Sequence, residues 1–92
     1  MVATRAIAIA ARHMDVTLDD ALALPGWKCV QARWAAWLAL VAMGWAKDFT
    51  GRMFGVDHSS ICYAERCATP DTKRLAETIR AEMQLSEESA HG

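Results

Sequence analysis

The run from Asp48 to Arg66, DFTGRMFGVDHSSICYAER, constrains the fold more than any other part of the chain. It divides into two short helical patterns on either side of Gly55. In the first, Phe49, Met53 and Phe54 fall at i, i+4 and i+5, a spacing that predicts one shared inward face. Gly55 predicts the stop, because glycine takes the left-handed backbone that ends helices without steric cost. Asp57 is placed to cap the next helix, and its carboxylate is expected to accept from the free backbone N–H of Ser59 or Ser60. Beyond it, Ile61 and Ala64 read as the inward side, and Ser59, Ser60, Tyr63 and Arg66 as the outward side. Two short helices joined by a Gly-bearing turn, the second opening on polar residues, make a helix-turn-helix pattern.

The remaining segments read as scaffold for this pair. Ala3 to Met14 places Ile7, Ala10, Ala11 and Met14 at helical spacing, with Arg5 and Arg12 on other faces. Thr17 predicts an N-cap with Asp20 three residues on, and Leu18, Ala21 and Leu22 form the inner side of a short helix that Pro25-Gly26 ends. Trp27 to Val30 reads as a connector. A central helix is expected from about Gln31 to Met43, with Trp34, Trp37, Leu38 and Val41 on its core stripe and alanines filling the other sides. Gly44 is its expected terminator. Later, Thr69, Pro70 and Asp71 supply N-cap, N1 and an acidic first turn, and Leu75, Ile79 and Met83 share a stripe that folds back on the core. The expectation is an all-α, five- or six-helix orthogonal bundle containing a helix-turn-helix, one domain over 1–85, and a flexible acidic tail over 86–92.

Ninety-two residues suffice for one domain, and 53% hydrophobic with 23% charged residues is a folding composition rather than a disordered one. The AIAIAA run is broken by Arg12 and the uncharged stretch from Trp34 to Ala46 is too short to span a bilayer, so no export or membrane segment is expected. Cys29, Cys62 and Cys67 are odd in number and follow no zinc-ligand spacing, which predicts free, buried thiols in a reduced cytosolic setting. Formal charge is −1, and the acid is concentrated late: five acidic and three basic residues from Asp71 onward leave seven basic and six acidic before it. Any nucleic-acid contact must therefore come from a local patch, with a shallow salt dependence.

FGVDHSSICYAER resembles the signature of the C-terminal DNA-binding domain of DnaA, the bacterial replication initiator, which reads roughly FGGRDHTTVLHACRK at this place. RWAAWLALVAMGWAKDFTGRMFG is similar to the segment preceding it in that family, with Gly51 matching a family glycine. The likeness is dense from about Arg33 to Arg66 and thin but colinear elsewhere. It implies a Trp-repressor-like fold and binding of double-stranded DNA, with no cofactor, metal or catalysis.

By that resemblance Asp57 accepts from a base amino group, His58 contacts base or phosphate, and Ser59 and Ser60 keep the hydroxyls of two family threonines without their methyls. Tyr63 and Arg66 continue this reading face. Lys47 and Arg52 lie where the preceding helix crosses the DNA backbone, with solvated surface charges as the plain alternative. The family's groove-side Arg is replaced by Val56, and the turn in this chain is one residue shorter than the family's. The family's minor-groove Arg aligns near Val30, with Lys28 and Arg33 as candidate substitutes. Asp57, His58 and Ser59 are consecutive on one helix and so cannot form a nucleophile–base–orienter triad. Transcription regulation, as the DNA-binding part of a bacterial or phage-type regulator, is the expected role, with further protein domains or the transcription machinery as expected partners beside double-stranded DNA. The alternatives are a protein-interaction module that has lost DNA binding and a replication regulator competing for initiator sites. No membrane partner or small-molecule cofactor is expected.

Overall fold

The helix over Trp27–Ala42, α3, is the axis on which the other elements are hung. In the computed structural model, which describes residues 2–91 and side chains only over 2–85, it is preceded by α1 (Val2–Met14) and α2 (Leu18–Ala23). It is followed by α4 (Lys47–Phe54), α5 (His58–Cys67) and α6 (Pro70–His91). No strand occurs among the described residues. The all-α architecture of six helices is the one expected, and its Cα radius of gyration of 12.2 Å is that of a compact chain of this length. The acidic tail expected over 86–92 lies outside the residues whose side chains are described.

α3 begins four residues earlier than its sequence pattern suggested. Gly26, in extended conformation, is the N-cap, and its carbonyl accepts the first helical bond from the Val30 N–H at 2.9 Å. The connector expected at Trp27 to Val30 is thus the first turn of the helix. The buried stripe of α3 also differs from the expected one. Ala32, Ala35, Ala36, Ala39 and Leu40 form the seam against α1 and α6, while Trp34, Trp37 and Val41 turn toward α5. The alanines lose no side-chain entropy on burial and let the helices approach closely, leaving Ile7, Leu40, Ile79 and Met83 to supply the bulk.

Three helices end in the same lock. At the ends of α1, α3 and α4, Val16, Trp45 and Val56 donate their N–H to Ala11, Leu40 and Gly51, five residues back, at 3.0, 3.1 and 2.8 Å. Each lock needs a left-handed residue just before the donor, supplied by Asp15 (φ 58°), Gly44 (φ 102°) and Gly55 (φ 72°). Gly44 and Gly55 thus terminate their helices as expected, and Asp15 does the same despite its Cβ. Helix starts follow the sequence too. The Thr17 hydroxyl accepts from the Asp20 N–H at 3.1 Å, and the Thr69 hydroxyl accepts from the Thr72 N–H at 3.2 Å.

Candidate nucleic-acid interface

α4 and α5 meet through a corner whose closeness is set by Gly51. A Cβ there would stand 2.7 Å from the Val56 carbonyl oxygen, a backbone atom that cannot swing aside as a side-chain tip would. This glycine is therefore required by the backbone of the turn itself rather than by the side of the following helix. Thr50 is fully buried beside it and donates its hydroxyl to the Ala46 carbonyl at 2.9 Å, which removes the cost of burying that group. The inward face of α4 is consequently Thr50, Gly51 and part of Phe54. Phe49, expected inside, is 44% exposed and packs edge-on against Trp45, with ring centroids 5.1 Å apart. Met53 and Phe54, the other two residues of that face, are half-buried and pack against the core as expected, so the spacing fails only at Phe49.

α5 is held by Ile61 and Ala64, both fully buried against Trp37 as the sequence predicts. Its start presents Asp57, His58 and Ser59 as exposed side chains, with Ser60 half-buried. Asp57 has the extended backbone of an N-cap (φ −76°, ψ 155°), yet its carboxylate makes no cap bond. The expected bond to Ser59 or Ser60 is absent. Instead the Asp57 backbone carbonyl accepts from the Ser60 N–H at 3.0 Å, and the carboxylate is left free to accept from outside.

His58 lies one turn from Cys62, whose Sγ is 3.8 and 3.7 Å from the two ring nitrogens. No group of three or more His, Cys, Asp or Glu gathers around a common point among the described residues. Of the thiols expected to be buried, Cys29 is; Cys62 is half-buried and Cys67 exposed. Cys67 sits beside Tyr63 and is the main reason that the phenol is held above its ordinary pKa, with Arg66 pulling weakly the other way.

The candidate cations divide into two groups. Lys47 is paired with Glu65 of α5 at 2.6 Å, and the hydrogen bond to that carboxylate, then its charge, raises the ammonium's pKa. The pair ties α4 to α5 rather than offering a charge outward. Arg33 is spent similarly, its Nη1 donating to the Ala21 and Leu24 carbonyls at 2.8 and 2.9 Å and so closing the C-terminal end of α2. Lys28, Arg52 and Arg66 are exposed and form no ion pair among the described residues.

Sequence reasoning placed Trp34 and Trp37 on the core stripe; Trp37 is buried and Trp34 is half-buried against the same cluster. Trp27, Trp34 and Tyr63 form an edge-to-face series with centroids 5.6 and 5.8 Å apart, bringing the start of α3 alongside α5. Trp27 and Tyr63 are each about half exposed. The helical spacing of Trp34 and Trp37 was visible in the sequence, but the continuation to Trp27 and the partner at Tyr63 were not.

No family model matches the chain, and no curated protein matches it. No described helix is long and apolar enough to cross a membrane.

Proposed function

We propose that this domain binds duplex DNA with sequence preference, with α5 in the major groove, as the DNA-reading part of a transcription regulator. The observation that carries this reading is the start of α5. The left-handed Gly55 corner fixes it against α4, and Asp57, His58 and Ser59 project from it with the Asp57 carboxylate unspent. A free carboxylate accepts from the amino group of cytosine or adenine, hydroxyls serve either base or phosphate, and helix N-terminal N–H groups suit a phosphate. The likeness to the DnaA DNA-binding domain, identical at Asp57 and His58, supports the same placement. Arg66, Arg52 and Lys28 supply the phosphate contacts, since Lys47 and Arg33 have partners within the protein.

Anisotropy titration of labelled duplex at low salt, followed by selection from a random pool, tests this. Arg66→Ala and His58→Ala are each expected to weaken binding by about 1–3 kcal/mol. With three unpaired cations, the slope of log affinity against log salt should be no steeper than about −3. No binding at tens of micromolar, or no effect of either substitution, would overturn the proposal. Preference for the initiator's own site over scrambled duplex would assign the narrower role of a competitor at such sites.

A second reading, a protein-interaction module, is favoured by one observation: the half-exposed Trp27 and Tyr63 flanking Arg66's helix are the residue types that anchor protein interfaces. It predicts that Trp27→Ala abolishes partner binding while duplex affinity is absent from the start.

A further inference from the structure

Between α3 and α5 lies an open cavity of about 450 Å³ lined by Trp34, Trp37, Ser59, Ser60, Tyr63 and Arg66. Its volume is in the range of small-ligand sites. Two indole rings and a phenol give it flat apolar surfaces, and the edge-to-face contact of Trp34 with Tyr63 fixes two of them relative to each other. Its polar groups are biased to one sign. The Arg66 guanidinium can only donate, the three hydroxyls can donate, and no carboxylate lines the cavity.

Trp37, which lines the cavity, also holds an unpaired donor. The residue is 95% buried, and its indole N–H has no acceptor within the protein, the one such buried side-chain group among the described residues. An unpaired buried donor costs on the order of 1–3 kcal/mol, so a group kept in that condition within a cavity-lining residue calls for an explanation. The usual alternative, a Trp used purely as core filler, would be served as well by Phe, which has no donor to strand.

We propose that this cavity binds a small planar aromatic carboxylate, the ring lying against Trp34 and Tyr63 and the carboxylate meeting Arg66 and the serine hydroxyls. Guanidinium and carboxylate match as a two-point, charge-assisted pair, which sets the ligand class apart from a neutral aromatic of equal size. The raised pKa of Tyr63 keeps its phenol protonated and able to donate. Because Ser59, Ser60 and Arg66 also belong to the DNA-reading face, the ligand competes with duplex; this second statement rests on the DNA reading, while binding itself does not.

The test uses the full chain and 2-naphthoate, with 2-naphthamide as the neutral control, followed through the four Trp indole N–H resonances in ¹H–¹⁵N NMR spectra. Trp-to-Phe variants assign the signals. Naphthoate is expected to shift the Trp37 and Trp34 signals saturably and to leave Trp45, beyond the far end of α3, unmoved. Arg66→Ala should weaken naphthoate binding roughly tenfold and leave naphthamide unchanged. Trp37→Phe should weaken it less. If that variant loses its fold, Arg66→Ala at the exposed rim still decides the question. Absence of saturation by the millimolar range, equal shifts at Trp45, or equal affinity for acid and amide would each overturn the proposal. Duplex binding is read separately by anisotropy, so a failed naphthoate titration with intact duplex binding removes this inference alone. Saturable naphthoate binding without duplex binding removes only the DNA reading.

Discussion

The α1–α3–α6 bundle and the α4–α5 head are built on different packing rules. In the bundle, an alanine seam lets three helices lie close, with Ile7, Leu40, Ile79 and Met83 fully buried between them. Arg12 and His13 of α1 then reach across to Glu82 of α6, which clamps the two outer helices together. The head instead has its own small cluster, Trp37 with Ile61 and Ala64, and one tight turn around Gly51, and meets the bundle core through the half-buried Met53 and Phe54. Its only ion pair among the described residues, Lys47 with Glu65, is internal to it. Surface available for recognition is therefore concentrated where packing is thinnest, as expected if stability is assigned to one region and contact chemistry to another.

Truncation in the bundle should have the largest effect. Leu40→Ala removes a fully buried side chain from the central seam and is expected to cost about 2–5 kcal/mol, lowering the Tm of the whole domain by thermal melting. Gly51→Val should cost about 1–3 kcal/mol through the clash with the Val56 carbonyl, which outweighs the better helix propensity of a non-glycine residue. Its signature is local: hydrogen exchange should accelerate in α4 and α5 before it does in α1, α3 and α6. Uniform loss of protection in both variants would mean that the head and bundle unfold as one, and the contrast drawn above would be wrong.

Asp15→Gly is expected to act the other way. It relieves a left-handed conformation held by a residue with a Cβ and should stabilise by up to about 1 kcal/mol in denaturant melts, with helix and lock unchanged. A loss of stability would show that the Asp15 side chain has a role that its backbone does not reveal.

The smallest effect tests the clamp. The hydrogen bond from His13 at 2.5 Å, and secondly that from Arg12, hold the Glu82 carboxyl below its ordinary pKa. A depressed folded-state pKa gives stability that is present above the unfolded value and lost as pH falls through the folded one. Thermal melts should therefore lose stability with falling pH from the ordinary carboxylate range downward, and Glu82→Gln should flatten that loss. Solvent exposure limits the difference to less than about 1 kcal/mol. An equally steep profile in the variant would assign the acid sensitivity to other carboxylates.

Much of this organisation was legible in the residues. Thr17 and Thr69 as caps, Gly44 and Gly55 as stops, and Ile61, Ala64, Ile79 and Met83 as inward positions all follow from local chemistry or from simple periodicity. The failures share a cause. Phe49 and the α3 stripe were assigned by size, on the assumption that the largest apolar residues face inward, whereas these helices dock through Thr50, Gly51 and a row of alanines. Lys47 and Arg33 were expected to face DNA from their places relative to the helix-turn-helix pattern and the family likeness, which say nothing of their partners. Their partners, Glu65 and the α2 carbonyls, lie 18 and about 10 residues away in the chain and meet them only after folding.

What the sequence determined by itself is where helices start and stop and that a polar helix start follows a tight glycine corner, because caps, left-handed glycines and short periodic runs act within a few residues. Which faces are buried, which cations are already spent, and that Trp34, Trp37, Tyr63 and Arg66 surround one cavity were decided only by tertiary structure. Those outcomes depend on how closely separate helices approach, and that distance is set jointly by small residues far apart in the chain.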